Sequence, residues 1–243
     1  LNGKCYPNIS KVFIDNEFRA LFKDVKFVTL FLAGAVATFP LFVPPFFLPL
    51  YSNSLGLSAS AGAGLVAGFN FSSAVGRLCC GFLSDFMGPV NTLLLSLILS
   101  ALSMLVLWPV SNTLGPLIAF VIINGAANGG FFSTMPTVVG NVFGSRRVGV
   151  AMGMIVSGWA GGYLMVSTIF IFILTDIGKE KAILTPSQGS PIAGYLLAAY
   201  GGEHSTLKAY HPAMIYAGSM ALGASLLVGA VKFMLNKSLL KKL

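Results

Sequence analysis

Arg77 is the side chain of this sequence best placed to do chemistry. It stands in a stretch from Ala61 to Leu83 that holds no other charge, eight residues before Asp85. At about 1.5 Å of helical rise per residue it lies roughly 12 Å inside that boundary. Placing an Arg at the centre of a membrane helix costs about 2.5–3.5 kcal/mol, so it calls for a cavity, a partner or an anionic ligand. A guanidinium fork fits a carboxylate in two parallel hydrogen bonds. The bland alternatives are a guanidinium snorkelling to the surface or paired with Asp85. Asn70, Ser73 and Arg77 fall at i, i+3 and i+7, one stripe of a helix, and Asn124 and Asn128 form an i, i+4 polar pair further on. The expectation is a polar cavity in which Arg77 meets an anionic solute and Asn70, Asn124 and Asn128 line the walls.

These residues need elements that hold them in lipid. Hydrophobic residues make up 56% of the 243 and charged ones 9%, too few charges to cover a soluble domain of this size. The apolar runs are continuous rather than alternating, which selects helices over barrel strands. From Phe86 to Ser145 no residue is charged, enough for two spans divided at Trp108–Pro116, where two prolines and a glycine interrupt. The predicted fold class is an all-α membrane protein, a bundle of six transmembrane helices at 27–50, 61–84, 90–109, 115–142, 148–174 and 212–234. A linker at 1–26 precedes it and a basic tail at 235–243 follows. Basic residues gather before the first span, at Arg146 and Arg147, and after the last, and none lies in the loops at 51–60 and 111–114. By the positive-inside rule both termini are cytoplasmic, which an even number of spans requires. Prolines 40, 44, 45 and 49 predict a kinked first span. Glycines four apart (64/68, 125/129, 149/153, 158/162) predict close helix packing.

Several function classes drop out. There is no phosphate loop, zinc motif or nucleophile elbow, and the spans supply neither paired carboxylates nor a nucleophile with a base, so no enzyme is expected. Cys5, Cys79 and Cys80 lack metal spacing, and neither metal nor cofactor is predicted. The basic balance of +8 follows the topology and does not point to nucleic acid. The partners expected are membrane lipid and a small anionic solute. All seven acidic residues lie outside the predicted mid-membrane region, and His204 and His211 lie near its edge, so no proton site presents itself. The chain opens on Leu1 without a signal peptide, which suggests a piece of a longer protein.

The segment Gly76 to Pro89 resembles the loop motif of the major facilitator superfamily through the skeleton Gly81-x-x-x-Asp85-x-x-Gly88. In that family the motif follows the second helix of each half on the cytoplasmic side, and its Asp latches onto a neighbouring helix N-terminus. Phe86 stands where a basic residue is usual, the weaker form typical of the second half. Gly76-Arg77, the stretch Asn124 to Phe132 and Pro191 to Tyr195 are similar to fungal monocarboxylate porters. The resemblance implies twelve helices in two halves, of which this chain would be the second, needing six further helices before it. It implies proton symport of a monocarboxylate at the plasma membrane by alternating access, with Arg77 as the anion-binding residue. Those carriers place an Asp four residues before the Arg, and Ser73 holds that position here, so the proton-carrying group does not carry over. The other class is a transport-inactive fragment or a structural or regulatory membrane protein.

Residues 166–188 sit awkwardly in the fifth span. Removing them joins Met165 to Gly189 in a smooth Gly-rich helix end. The borders can be back-translated as a splice donor (Val-Ser) and acceptor (Gln), so a translated intron is expected, with a lineage-specific outer loop as the alternative. Sequencing of spliced transcript separates the two.

Overall fold

A computed structural model describes Arg19, residues 21–159 and residues 210–235. Most of the 1–26 segment, the 166–188 insertion, Pro191–Tyr195 and the residues after Leu235 lie outside them. Everything ordered into regular structure among the described residues is helical: α1 (Val25–Leu41), α2 (Val43–Ser54), α3 (Ala59–Met87), α4 (Pro89–Leu102), a π-helical turn (Ser103–Leu107), α5 (Trp108–Val110), α6 (Leu114–Phe143), α7 (Val148–Trp159) and α8 (His211–Leu235). Five segments are long and apolar enough to cross a membrane, counting α1–α2 and α4–α5 as one each.

Side chains start these helices where the chain must turn. Asp24 accepts from the Lys26 amide at 2.9 Å, and Ser58 from the Ala61 amide at 3.3 Å. Gly88, at φ 87°, ends α3, and Pro89 begins α4 at once, a reversal that a residue with a Cβ adopts only under strain. α6 packs along α3 and α4, while α8 packs on α1 and α4.

The apolar interior divides into two clusters. One, toward the Met87 end, joins Leu30, Leu41, Leu93, Leu97, Phe131 and Val228. The other, toward the Ser54 end, joins Val43, Tyr51, Trp108, Phe120, Tyr210 and Met214. Between them runs a buried layer of polar and small residues: Ser72, Ser73, Ser100, Ser103, Asn124 and Asn128, with Gly76, Gly125 and Gly129. Without a hydrophobic force between helices in lipid, such residues bind them by close approach and hydrogen bonds.

The boundary between the clusters coincides with a break in the first span. Instead of one kinked helix over 27–50 there are two helices, parted at Phe42, with Pro44 at the start of the second. Pro45 has no N–H to offer the Leu41 carbonyl one turn back. Asn128 of α6 supplies the missing donor: its Nδ2 donates to that carbonyl at 2.8 Å. Asn128→Leu should therefore cost about 1–3 kcal/mol, the penalty for a buried unmet acceptor. Pro45→Ala in the same chain restores a backbone donor and should recover at least half of that loss. Unfolding of the two single variants and the double variant checks it; strictly additive effects would count against the assignment.

Lys232, one of the basic residues at the end of the last span, is 2% exposed. Its ammonium donates to Asn91 Oδ1, and Asn91 Nδ2 donates to the Met87 carbonyl at 2.6 Å. A cation is thus set against the C-terminal end of α3, the negative end of that helix's dipole.

Candidate functional site

The seam between α3 and α6 places Arg77. A Cβ built on Gly76 would lie 2.3 Å from the Ala126 carbonyl oxygen, so the two backbones touch there. The next residue is thereby set at the open edge of the seam. Arg77 is exposed, about 15 Å along the helix from Met87. Its guanidinium carbon stands 5.7 Å from the centroid of the Phe132 ring. Among the described residues no hydrogen bond or ion pair engages it. Phe132 attracts the cation through the ring's negative face but leaves the N–H fork open.

Phe132 belongs to a group of rings drawn from its own helix and two further elements. Phe42, at the break between α1 and α2, meets it at 6.3 Å and 71°, and Trp159 of α7 at 6.1 Å and 76°. Phe131 supports Trp159 from behind at 5.7 Å. Phe42, Phe132 and Trp159 are each half-buried, and Phe131 is buried. Trp159 fits because Gly34 lacks a side chain: a Cβ there would come within 2.6 Å of Nε1. That Nε1 is buried without a hydrogen-bond partner among the described residues, so packing alone sets the ring. The open cation thus lies beside one ring, Phe132, which rings from two other elements support.

The residues singled out from sequence separate into two groups. Asn70 is exposed on the same side of α3 as Arg77, two turns away, its amide donating to the Val66 carbonyl at 3.0 Å. Ser73, between them in sequence, is buried in the seam. Asn124 and Asn128 do not face the open side with Arg77, a correction to their predicted place on a cavity wall. They are 0% and 6% exposed, and each amide is taken up by another helix. Asn124 Nδ2 donates to Ser103 Oγ at 2.7 Å, where the π-helical turn begins, and Asn128 closes the break at Leu41. In lipid, a buried amide is held most firmly where a backbone or hydroxyl group lacks a partner. Of the motif residues, Gly81 and Asp85 are exposed on α3 and Gly88 forms the buried turn after it.

Sequence reasoning passed over Phe42, Phe132 and Trp159. Trp159 carried a signal in its rarity, being one of two tryptophans in the chain. Phe42 and Phe132 carried none, since the chain has 20 phenylalanines and apolar helices need no further reason for them.

Comparison with known proteins agrees with this architecture. The chain is 28% identical over 199 residues to an MFS-type transporter of Gibberella moniliformis, covering 82% of this chain and 42% of that protein. It is 26% identical over 208 residues to the MFS transporter asaE of Aspergillus flavus, covering 86% and 42%. It is 29% identical over 207 residues to the aspyridones efflux protein apdF of Emericella nidulans, covering 85% and 38%. The chain therefore spans less than half the length of these relatives. Among solved structures, it superposes on a bacterial homolog of the human lysosomal transporter Spinster, in an inward-facing and unoccupied conformation. The TM-score is 0.54 at 18% identity, over 97% of this chain and 53% of the other, a likeness of fold. The profile of the Major Facilitator Superfamily matches residues 30–242, and the chain belongs to that family of transporters.

Proposed function

We propose that this chain is the second six-helix half of a carrier that moves a small organic acid, a monocarboxylate, across the plasma membrane by alternating access. The observation that supports it most directly is the open Arg77 fork deep in a membrane-length helix. A mid-membrane cation with no protein anion beside it is costly, and a substrate carboxylate relieves that cost. The helix ends bearing Lys23, Lys26, Arg146 and Arg147 are the cytoplasmic ones on the positive-inside rule. The Asp85 motif lies at the same ends and serves as a latch between conformations. With Ser73 where an Asp would couple protons, any coupling group belongs to the other half. The names of two relatives, the aspyridones efflux protein and the agnestins efflux protein AgnL12 of Paecilomyces divaricatus, support outward movement.

Vesicles holding this chain together with a six-helix amino-terminal half should exchange a labelled monocarboxylate, but not its neutral amide, across the membrane. Running the assay with and without an imposed pH gradient reports coupling. Binding of neither compound, with the bundle folded, would favour a non-transporting membrane protein instead.

A further inference from the structure

We infer that the acid taken by Arg77 carries a flat aromatic ring next to its carboxylate, rather than a short aliphatic chain. The inference rests on the reading of Arg77 as the anion-binding residue and adds a second recognition element to it. Phe132 lies beside the guanidinium, whose carbon stands 5.7 Å from the ring centroid. The N–H fork has no protein partner among the described residues, so it is available to a carboxylate. A carboxylate held in the plane of that fork directs its substituent past the Phe132 ring. That aromatic ring is itself packed by Phe42 and Trp159, both standing steeply to it.

Edge-to-face surroundings favour a guest ring, whose positive rim and negative face complement those of its hosts. A methyl or short alkyl substituent has no such complement and would leave the exposed part of the Phe132 ring uncovered. The rings also pack on the apolar interior, yet each keeps exposed surface, and Phe132 does so beside the charge. The fully buried aromatic cluster of Tyr51, Trp108, Phe120 and Tyr210 shows how this chain packs rings when no opening is left. Trp108 there stacks on Phe120 at 4.8 Å and 26°. At the Arg77 edge, by contrast, Phe132 and its two neighbours keep exposed surface.

The test is a fluorescence titration of the full chain in lipid nanodiscs, with Trp108→Phe introduced so that Trp159 alone reports. Benzoate, cyclohexanecarboxylate and benzamide are compared: aromatic and charged, aliphatic and charged, aromatic and neutral. Benzoate should bind roughly three- to tenfold more tightly than cyclohexanecarboxylate, and benzamide should not bind measurably. Phe132→Leu should narrow the gap between the two acids. Displacement of labelled benzoate by each compound gives the same ranking without relying on Trp159. Equal affinities for the two acids, both lost in Arg77→Gln, would overturn the ring requirement and leave Arg77 as the anion site. Benzoate binding that survives Arg77→Gln, or benzamide binding as well as benzoate, would overturn both. Binding of none of the three by a folded chain would do the same.

Discussion

Arg77→Gln should weaken binding of an organic acid by roughly a hundredfold to a thousandfold while leaving the bundle at least as stable as before. Each hydrogen bond to a charged group contributes about 1.5–3 kcal/mol, and the fork makes two. Because the glutamine amide can still donate one hydrogen bond, the loss falls in the lower part of their sum, about 3–4 kcal/mol, at 1.4 kcal/mol per factor of ten. Stability moves the other way because Arg77 supports nothing in the fold. It has no hydrogen bond or ion pair among the described residues, and its ring contact is at an exposed edge. Removing its charge relieves part of the cost of holding a cation at that depth. Arg77→Lys should fall between the two, since an ammonium keeps the charge but loses the planar fork. Titration of acid binding beside thermal unfolding of each variant checks both directions. A variant that unfolds more readily and binds normally would make Arg77 a structural residue.

Gly129→Ala should be the most damaging glycine-to-alanine change among the described residues. The added Cβ would lie 1.9 Å from the Ser73 carbonyl oxygen, which is backbone and cannot swing aside. Gly125→Ala meets the Phe69 carbonyl oxygen at 2.7 Å on the same seam. α3 and α6 would have to part, losing the contact that runs along both helices and the Ser72 hydroxyl bond to the Ile122 carbonyl at 2.6 Å. Overpacking commonly costs about 1–3 kcal/mol, and a backbone clash belongs at the top of that range or above it. The control is Gly153→Ala, where nothing lies within 4 Å of the new atom. There the change should be neutral or stabilising by up to about 1 kcal/mol through helix propensity. Unfolding midpoints of the two variants in one detergent decide it, and equal midpoints would remove the seam from the account. Because Gly129 lies one turn before Phe132, loss of acid binding should accompany loss of stability.

These two glycines show what the sequence could and could not tell. Spacing marked 125/129 and 149/153 as equivalent, because periodicity finds which residues share a face but not what lies opposite. Only the first pair meets a backbone; Gly64, Gly149 and Gly153 look onto open space. The same limit explains the asparagines. Hydropathy pointed to apolar helices, five of membrane length among the described residues, because that depends on distance along the chain. Most of the predicted fifth span, 148–174, lies outside them. That Asn128 faces the Leu41 carbonyl depends on a contact between residues 87 apart. No local pattern encodes it, although the proline that orphans this carbonyl was visible all along. The π-helical turn at Ser103–Leu107 was equally silent, its residues being ordinary helix formers in lipid.

The buried polar layer between the two apolar clusters also bears on how the bundle comes apart. In a single continuous core, each side chain lost loosens its neighbours, and melting is all-or-none. Here the aromatic cluster around Trp108 and the aliphatic one around Leu93 meet across hydroxyls, amides and glycines. Four of the described spans enter both clusters, and the first of them is already interrupted at Phe42. The two clusters can then differ in local stability, one loosening before the other. A bundle built so can reorganise at one membrane face without dissolving the packing at the other.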